Sequence, residues 1–148
     1  MRKKYKGIDL FCGIGGFRLA MNSSQVECVF SSDNDKFAQQ TYEANFHEVP
    51  TGDIKAVNEK DIPSFDILTA GFPCQPFSYA GEKQGFNDEV RGTLFFDVCR
   101  ILEYHKPPMV FLENVKGLKS HDNGKTLQTV LDLSLIHISE PTRLRCIS

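Results

Sequence analysis

The stretch Lys6–Gly16, KGIDLFCGIGG, decides the fold: a short apolar run closes on three glycines within four residues, and FRLAM follows at once. Lys6–Phe11 reads as a strand, Cys12–Gly16 as a tight loop and Phe17–Met21 as a helix start. Glycines there let the backbone turn sharply and approach a ligand where any Cβ would collide. A plain strand-to-helix turn accounts for them equally well. The dinucleotide fingerprint G-x-G-x-x-G does not, because its last glycine falls on Arg18.

Working outward, the same alternation repeats. Val26–Ser31 reads as a strand, Asp35–Asn45 as a helix and Phe65–Ala70 as a strand running into the loop GFPCQPFSYAG. Thr93–His105 carries Leu94, Phe95, Val98, Ile101 and Leu102 on one helical stripe and stops before Pro107-Pro108. Met109–Leu112 is a strand ending at Glu113-Asn114, and Lys125–Asp132 begins a further helix. Such alternation implies an α/β fold with a mostly parallel sheet and ligands at the carboxyl ends of the strands.

The 148-residue chain as a whole is ordinary in composition, with 41% hydrophobic and 24% charged residues, which excludes collagen-like, low-complexity and disordered classes. One domain, or part of a larger one, fits this length. The net charge of −2 gives no general electrostatic case for nucleic acid or an anionic membrane, so any such partner must be argued from a site. No apolar run reaches a transmembrane length, and MRKKYKGIDLF lacks the apolar core of a secretory signal. The basic run Arg2–Lys6 reads as a solvated terminus. Five cysteines without a CxxC pair point to reduced thiols of a cytoplasmic protein, with neither disulfide framework nor zinc site. His47, His105 and His121 show no metal-like spacing and read as surface residues.

Three places carry chemistry. After the second strand, Asp33 and Asp35 are suited to accept hydrogen bonds from ribose hydroxyls, and Asp53 in TGDI to face an adenine amino group. Cys74, between Pro73 and Pro76, is expected on a stiffened loop past a strand, where a thiol can be exposed enough to react, although an inert loop cysteine is the commoner reading of such a residue alone. Cys28 and Cys99, within apolar segments, read instead as small core residues. Glu113, ending an apolar strand, is expected to be partly desolvated and so to hold a proton near neutrality, although capping backbone amides is the commoner fate of a lone glutamate.

The order DLFCGIGGFRLA, TGDI, GFPCQPFS, RGTLFFDV and FLENVKGL resembles the cytosine-C5 DNA methyltransferase family over Tyr5 to Asp132. The resemblance implies a Rossmann-like fold binding S-adenosylmethionine, with a target cytosine flipped into the pocket. It implies that the loop Phe11, Gly13, Ile14, Gly15 and Gly16 cradles the methionine part of the cofactor, that Asp33 holds the ribose, and that Asp53 and Ile54 stand beside the adenine. Gly71, Pro73 and Leu94 match further cofactor-lining positions; Cys74 matches the nucleophile and Glu113 the residue at the cytosine ring nitrogen; Gln75, Ser78 and Asn114 match neighbours shaping the loop and its DNA contacts. The implied partners are double-stranded DNA and a cognate restriction endonuclease of the same system, in a prokaryotic cytoplasm near the nucleoid, with a monomer as the default. A tRNA substrate would keep the same chemistry. A non-catalytic module that merely kept the fold would tolerate loss of Cys74 and Glu113, both of which are intact. A nicotinamide-dependent oxidoreductase fails at Arg18.

The end of the chain departs from this pattern. Leu127, Val130 and Leu131 set a helical stripe whose next member is Ser134, and LSLIHISEPTR (Leu133–Arg143) resembles the translation of a transposon-end sequencing adapter. A strand LSLIHI is the other reading of the periodicity. Residues 1–132 are therefore expected to be the N-terminal part of a catalytic domain and 133–148 a non-native tail. The family's Gln-Arg motif, target-recognition region and closing C-terminal segment are not in the sequence, and sheet strands beyond the fifth are missing with them. The 148-residue chain is accordingly expected to be poorly stable and inactive by itself.

Overall fold

The computed structural model describes residues 4–72, 94–114 and 116–137. Strand β1 (Tyr5–Leu10) leads through the glycine loop into α1 (Gly16–Asn22), then β2 (Val26–Ser32) and α2 (Lys36–Phe46). Two 3-10 turns (Ile54–Ala56 and Glu59–Asp61) precede β3 (Ile67–Gly71), α3 (Leu94–His105) and β4 (Met109–Glu113). Two more 3-10 turns (Lys116–Lys119 and His121–Gly124) lead into α4 (Lys125–His137).

The four strands are parallel, in the order β2-β1-β3-β4. The chain moves outward from β1 to β2 and on to Thr51, which bridges Ser32 in parallel beside β2, and then returns to the other side of β1 as β3. That reversal is the topological switch at which open parallel sheets bind ligands. The α/β expectation and its strand placements agree with this sheet.

Local chemistry explains the elements. Asp35 caps α2, its carboxylate accepting from the backbone N–H of Phe37 (2.8 Å) and Ala38 (2.9 Å). In α3 the apolar stripe buries Phe95, Val98, Cys99, Ile101 and Leu102. Burying five such side chains is worth on the order of 10 kcal/mol in gross transfer free energy. They pack on the sheet face formed by Ile8, Leu10, Leu68 and Ala70, with Ile54 and Val130 in the same cluster. The other face takes α1, where Met21 lies so close to Gly7 that a Cβ there would stand 2.9 Å from its Sδ.

Three expectations change. Helix α4 runs on to His137 without a break at Asp132, so among the described residues 133–137 are helical and not a strand. Ser134 is tolerated on the buried stripe because its hydroxyl donates to the Val130 carbonyl one turn back (2.7 Å), so no polar group is stranded. His105 is half-buried, not on the surface: its ring packs at a tilt against Phe65, with centroids 4.7 Å apart, and its Nε2 lies 2.8 Å from the Glu59 carbonyl oxygen. Cys99 is a core residue as expected, whereas Cys28 is only half-buried because β2 lies at the sheet edge. No helix among the described residues is long and apolar enough to cross a membrane.

Candidate functional site

At the carboxyl ends of β1 and β2, Phe11, Ser32, Asp33, Asn34, Asp53, Ile54 and Leu94 line one open cleft. Phe11, Asp33, Asp53, Ile54 and Leu94 were expected as cofactor residues from the sequence, and four separate segments of the chain deliver them to the same place.

The glycine loop is tied to the cleft through Asp33. Its Oδ2 accepts from the Gly13 N–H (2.7 Å) and its Oδ1 from the Asp35 N–H (2.9 Å), so the carboxylate is fixed while each oxygen keeps a lone pair for a ligand. Cys12 N–H donates to the Ser32 carbonyl (3.0 Å), holding the loop against the end of β2. Phe11 and Gly13 take left-handed conformations, with φ of 56° and 53°. Gly15 is the tightest point. Its φ is 97°, and a Cβ there would stand 2.1 Å from Cε2 of Phe46, so no side chain fits. Phe46 is in turn covered by the Arg18 guanidinium, 5.6 Å from the ring centroid. A bidentate pair with Glu48 (2.7 and 2.8 Å) anchors that guanidinium. Arg18 thus occupies the dinucleotide motif's glycine position with a structural job. Ile14 is exposed, and nothing lies near the space a Cβ would take at Gly16.

The second acidic segment reaches the cleft by backbone pairing. Thr51 N–H donates to the Ser31 carbonyl (2.9 Å) and Asp33 N–H to the Thr51 carbonyl (3.0 Å), which brings Asp53 alongside Asp33. Asp53 is exposed and caps the following turn, its Oδ1 accepting from Lys55 N–H (3.0 Å). Ile54 is buried and forms an apolar wall. Arg100, which the sequence reading did not single out, braces that wall. It donates to the Ile54 carbonyl (2.6 Å) while pairing with Glu59 (2.8 Å) and Asp97 (2.9 Å). Only the Asp97–Arg100 spacing on one helix was visible in sequence. Asp35, expected as a ribose acceptor, is spent on capping α2 and does not line the cleft.

Glu113, Asn114 and Gly71 gather at the neighbouring ends of β3 and β4. Gly71 stands in register with Glu113, and a Cβ on it would lie 3.1 Å from the Glu113 Oε2. Asn114 donates from Nδ2 to the Phe72 carbonyl (2.8 Å). Glu113 is exposed, so the desolvation expected of it is absent among the described residues; it ends a strand at the sheet's rim instead of lying under cover. Pro73, Cys74, Gln75 and Ser78 lie outside the described residues.

The described cysteines are poor nucleophiles. Burial pushes the thiols of Cys12 and Cys28 above their ordinary value and that of Cys99 up to about 12, so none supplies thiolate at neutral pH.

Comparison with known proteins gives a consistent answer. The family model of the C-5 cytosine-specific DNA methylases matches residues 5–134. The chain is 61% identical over 123 residues to the Type II methyltransferase M.HhaI of Haemophilus parahaemolyticus, covering 83% of this chain and 37% of that protein. It is 58% identical over 135 residues to the Type II methyltransferase M.HpaII of Haemophilus parainfluenzae, covering 90% and 37%. The chain thus spans little more than a third of the length of these relatives. Among solved structures, a mutant DNMT2 of Spodoptera frugiperda superposes with a TM-score of 0.66 at 26% identity, over 88% of this chain and 41% of that one. S. pombe Dnmt2 shares the fold with a TM-score of 0.66 at 23% identity, over 86% and 41%.

Proposed function

The chain belongs to the C-5 cytosine-specific DNA methylase family, and on that premise we propose that the protein carrying it is a DNA (cytosine-5-)-methyltransferase using S-adenosylmethionine. The observation that carries the reading is the convergence of Phe11, Asp33, Asp53, Ile54 and Leu94 on one cleft at the sheet's switch point. The cleft suits a nucleoside: Phe11, Ile54 and Leu94 offer apolar walls to a flat base, and Asp33 and Asp53 offer acceptors to ribose hydroxyls and an exocyclic amine. When bound there, the cofactor supplies an electrophilic methyl group on a sulfonium.

This chain's own residues do the rest. C5 of cytosine is too weak a nucleophile to take that methyl unaided. The Cys74 thiolate adds to C6 of a flipped cytosine, and the ring becomes an enamine whose C5 attacks. Glu113 steadies the charge that develops at N3. Loss of the C5 proton then expels the thiolate and restores the aromatic ring. The base leaves the helix stack to reach these groups, which costs roughly a few kcal/mol. Gln75, Ser78 and Asn114 shape the loop around it, and Pro73 and Gly71 complete the cofactor side.

The reading extends to double-stranded DNA as substrate, a cognate restriction endonuclease as companion, and a prokaryotic cytoplasm. It also assigns residues 1–132 to the N-terminal part of the catalytic domain and 133–148 to a non-native tail, supported by the adapter-like LSLIHISEPTR. With labelled S-adenosylmethionine, the protein read from the gene continued past the Asp132 codon should label C5 of cytosine in duplex DNA. The 148-residue chain should give no transfer. Label on another base or atom would overturn the assignment; transfer by the short chain would overturn its inactivity, and a native gene encoding Leu133–Ser148 would overturn the foreign tail.

A further inference from the structure

One group in the cleft has no counterpart in the expectations above. Ser32 is the last residue of β2 and is 1% exposed, yet its hydroxyl has no hydrogen-bond partner among the described residues. Its carbonyl accepts from Cys12 N–H, and the backbone on either side of it pairs with Thr51. Ser32 is in register with Leu10, so it shares the sheet face packed by Ile54 and α3, and it lines the cleft together with Phe11, Ile54 and Leu94. A hydroxyl left unbonded in such surroundings is costly unless something arrives to satisfy it. The acidic side chains Asp33 and Asp53 stand in the same lining and are more open to solvent.

We propose that the Ser32 hydroxyl is a further cofactor-binding group, satisfied by a hydrogen bond to the nucleoside moiety of the ligand that fills this cleft. The inference rests on the functional reading above, since it takes an adenosine-bearing molecule as the occupant. The apolar residues Phe11, Ile54 and Leu94 share the lining with Ser32, and its hydroxyl would serve a ring nitrogen as donor or a ribose hydroxyl as either partner. The amino-acid end of the cofactor is assigned to the glycine loop, so it makes no demand on Ser32.

Ser32→Ala separates a ligand-binding hydroxyl from a merely structural one, because the two predict different combinations of effects. Calorimetric titration of the full-length protein with S-adenosylmethionine and with 5′-methylthioadenosine, which keeps the nucleoside and lacks the amino acid, should show about tenfold weaker binding of both to the variant. The ligand-free variant should melt no lower than the unsubstituted protein, since an unsatisfied polar group has been removed. Unchanged affinity for either ligand, or a fall in the melting temperature of the ligand-free variant, overturns the proposal. Failure of the unsubstituted protein to bind either molecule overturns the functional reading itself and the proposal with it.

Discussion

Cys74→Ser in the full-length protein should abolish covalent capture of a duplex containing 5-fluorocytosine and lower methyl transfer by about four orders of magnitude or more. The fluorine at C5 cannot leave as a cation, so an enzyme that adds a thiolate to C6 and methylates C5 stays bonded to its substrate. A serine hydroxyl is far too weak an acid to replace the thiolate, although it is nearly the same size. Cys12, Cys28 and Cys99 cannot take over, since each has its thiol raised by burial. Denaturing electrophoresis of the protein–DNA adduct reads the outcome directly. An undiminished adduct from the serine variant would remove Cys74 from the mechanism.

The second large effect concerns stability and pH. Asp9 is completely buried near the carboxyl end of β1, and burial pushes its carboxyl from the ordinary value of 3.8 up to about 7. The Thr69 hydroxyl donates to Oδ1 (2.8 Å) and only partly offsets this, while Oδ2 has no partner among the described residues. Between those two values the folded chain holds a proton that the unfolded chain has released. The contribution of Asp9 to stability is therefore fully present below pH ~4 and is lost as pH rises through ~7, a difference on the order of 4 kcal/mol. Glu48, whose pairing with Arg18 holds its carboxyl below the ordinary range, works in the opposite sense and only below pH ~4.5. Melting temperatures between pH 5 and pH 8 thus isolate Asp9: they should fall with rising pH in the unsubstituted chain and hold nearly level in Asp9→Asn. Equal slopes in the two proteins would show that Asp9 is not the titrating group.

Much of this was legible in the residues themselves. Apolar runs and period-3.6 patterns, punctuated by glycine and proline, placed the strands and helices of the described residues, because strands of a parallel sheet covered on both faces read as near-continuous apolar runs. The five residues that the order of short motifs singled out for one ligand do meet in one cleft. What escaped the reading was set by contacts distant in sequence. His105 turned inward because Phe65 and the Glu59 carbonyl meet it there. Glu113 stayed exposed because cover depends on what packs at the rim of the sheet, which a strand's own residues do not encode. Asp35 had two plausible uses, and the capping of its own helix won. Ser134 looked like the end of a stripe, yet a bond to its own helix let the turn continue. Ser32 carried no signal at all, since an unbonded hydroxyl is visible only once its surroundings are assembled.

The hydrogen bond from Asn114 to the Phe72 carbonyl has a mechanical consequence. It rivets the root of the segment that leads to Cys74 onto the strand tip that carries Glu113, and the pairing of Gly71 with Glu113 makes a second rivet one residue earlier. A shift of either tip relative to β1 would drag the other along. The tips of β3 and β4 are thus mounted on a common chassis, so their mutual alignment is insulated from movement elsewhere in the sheet.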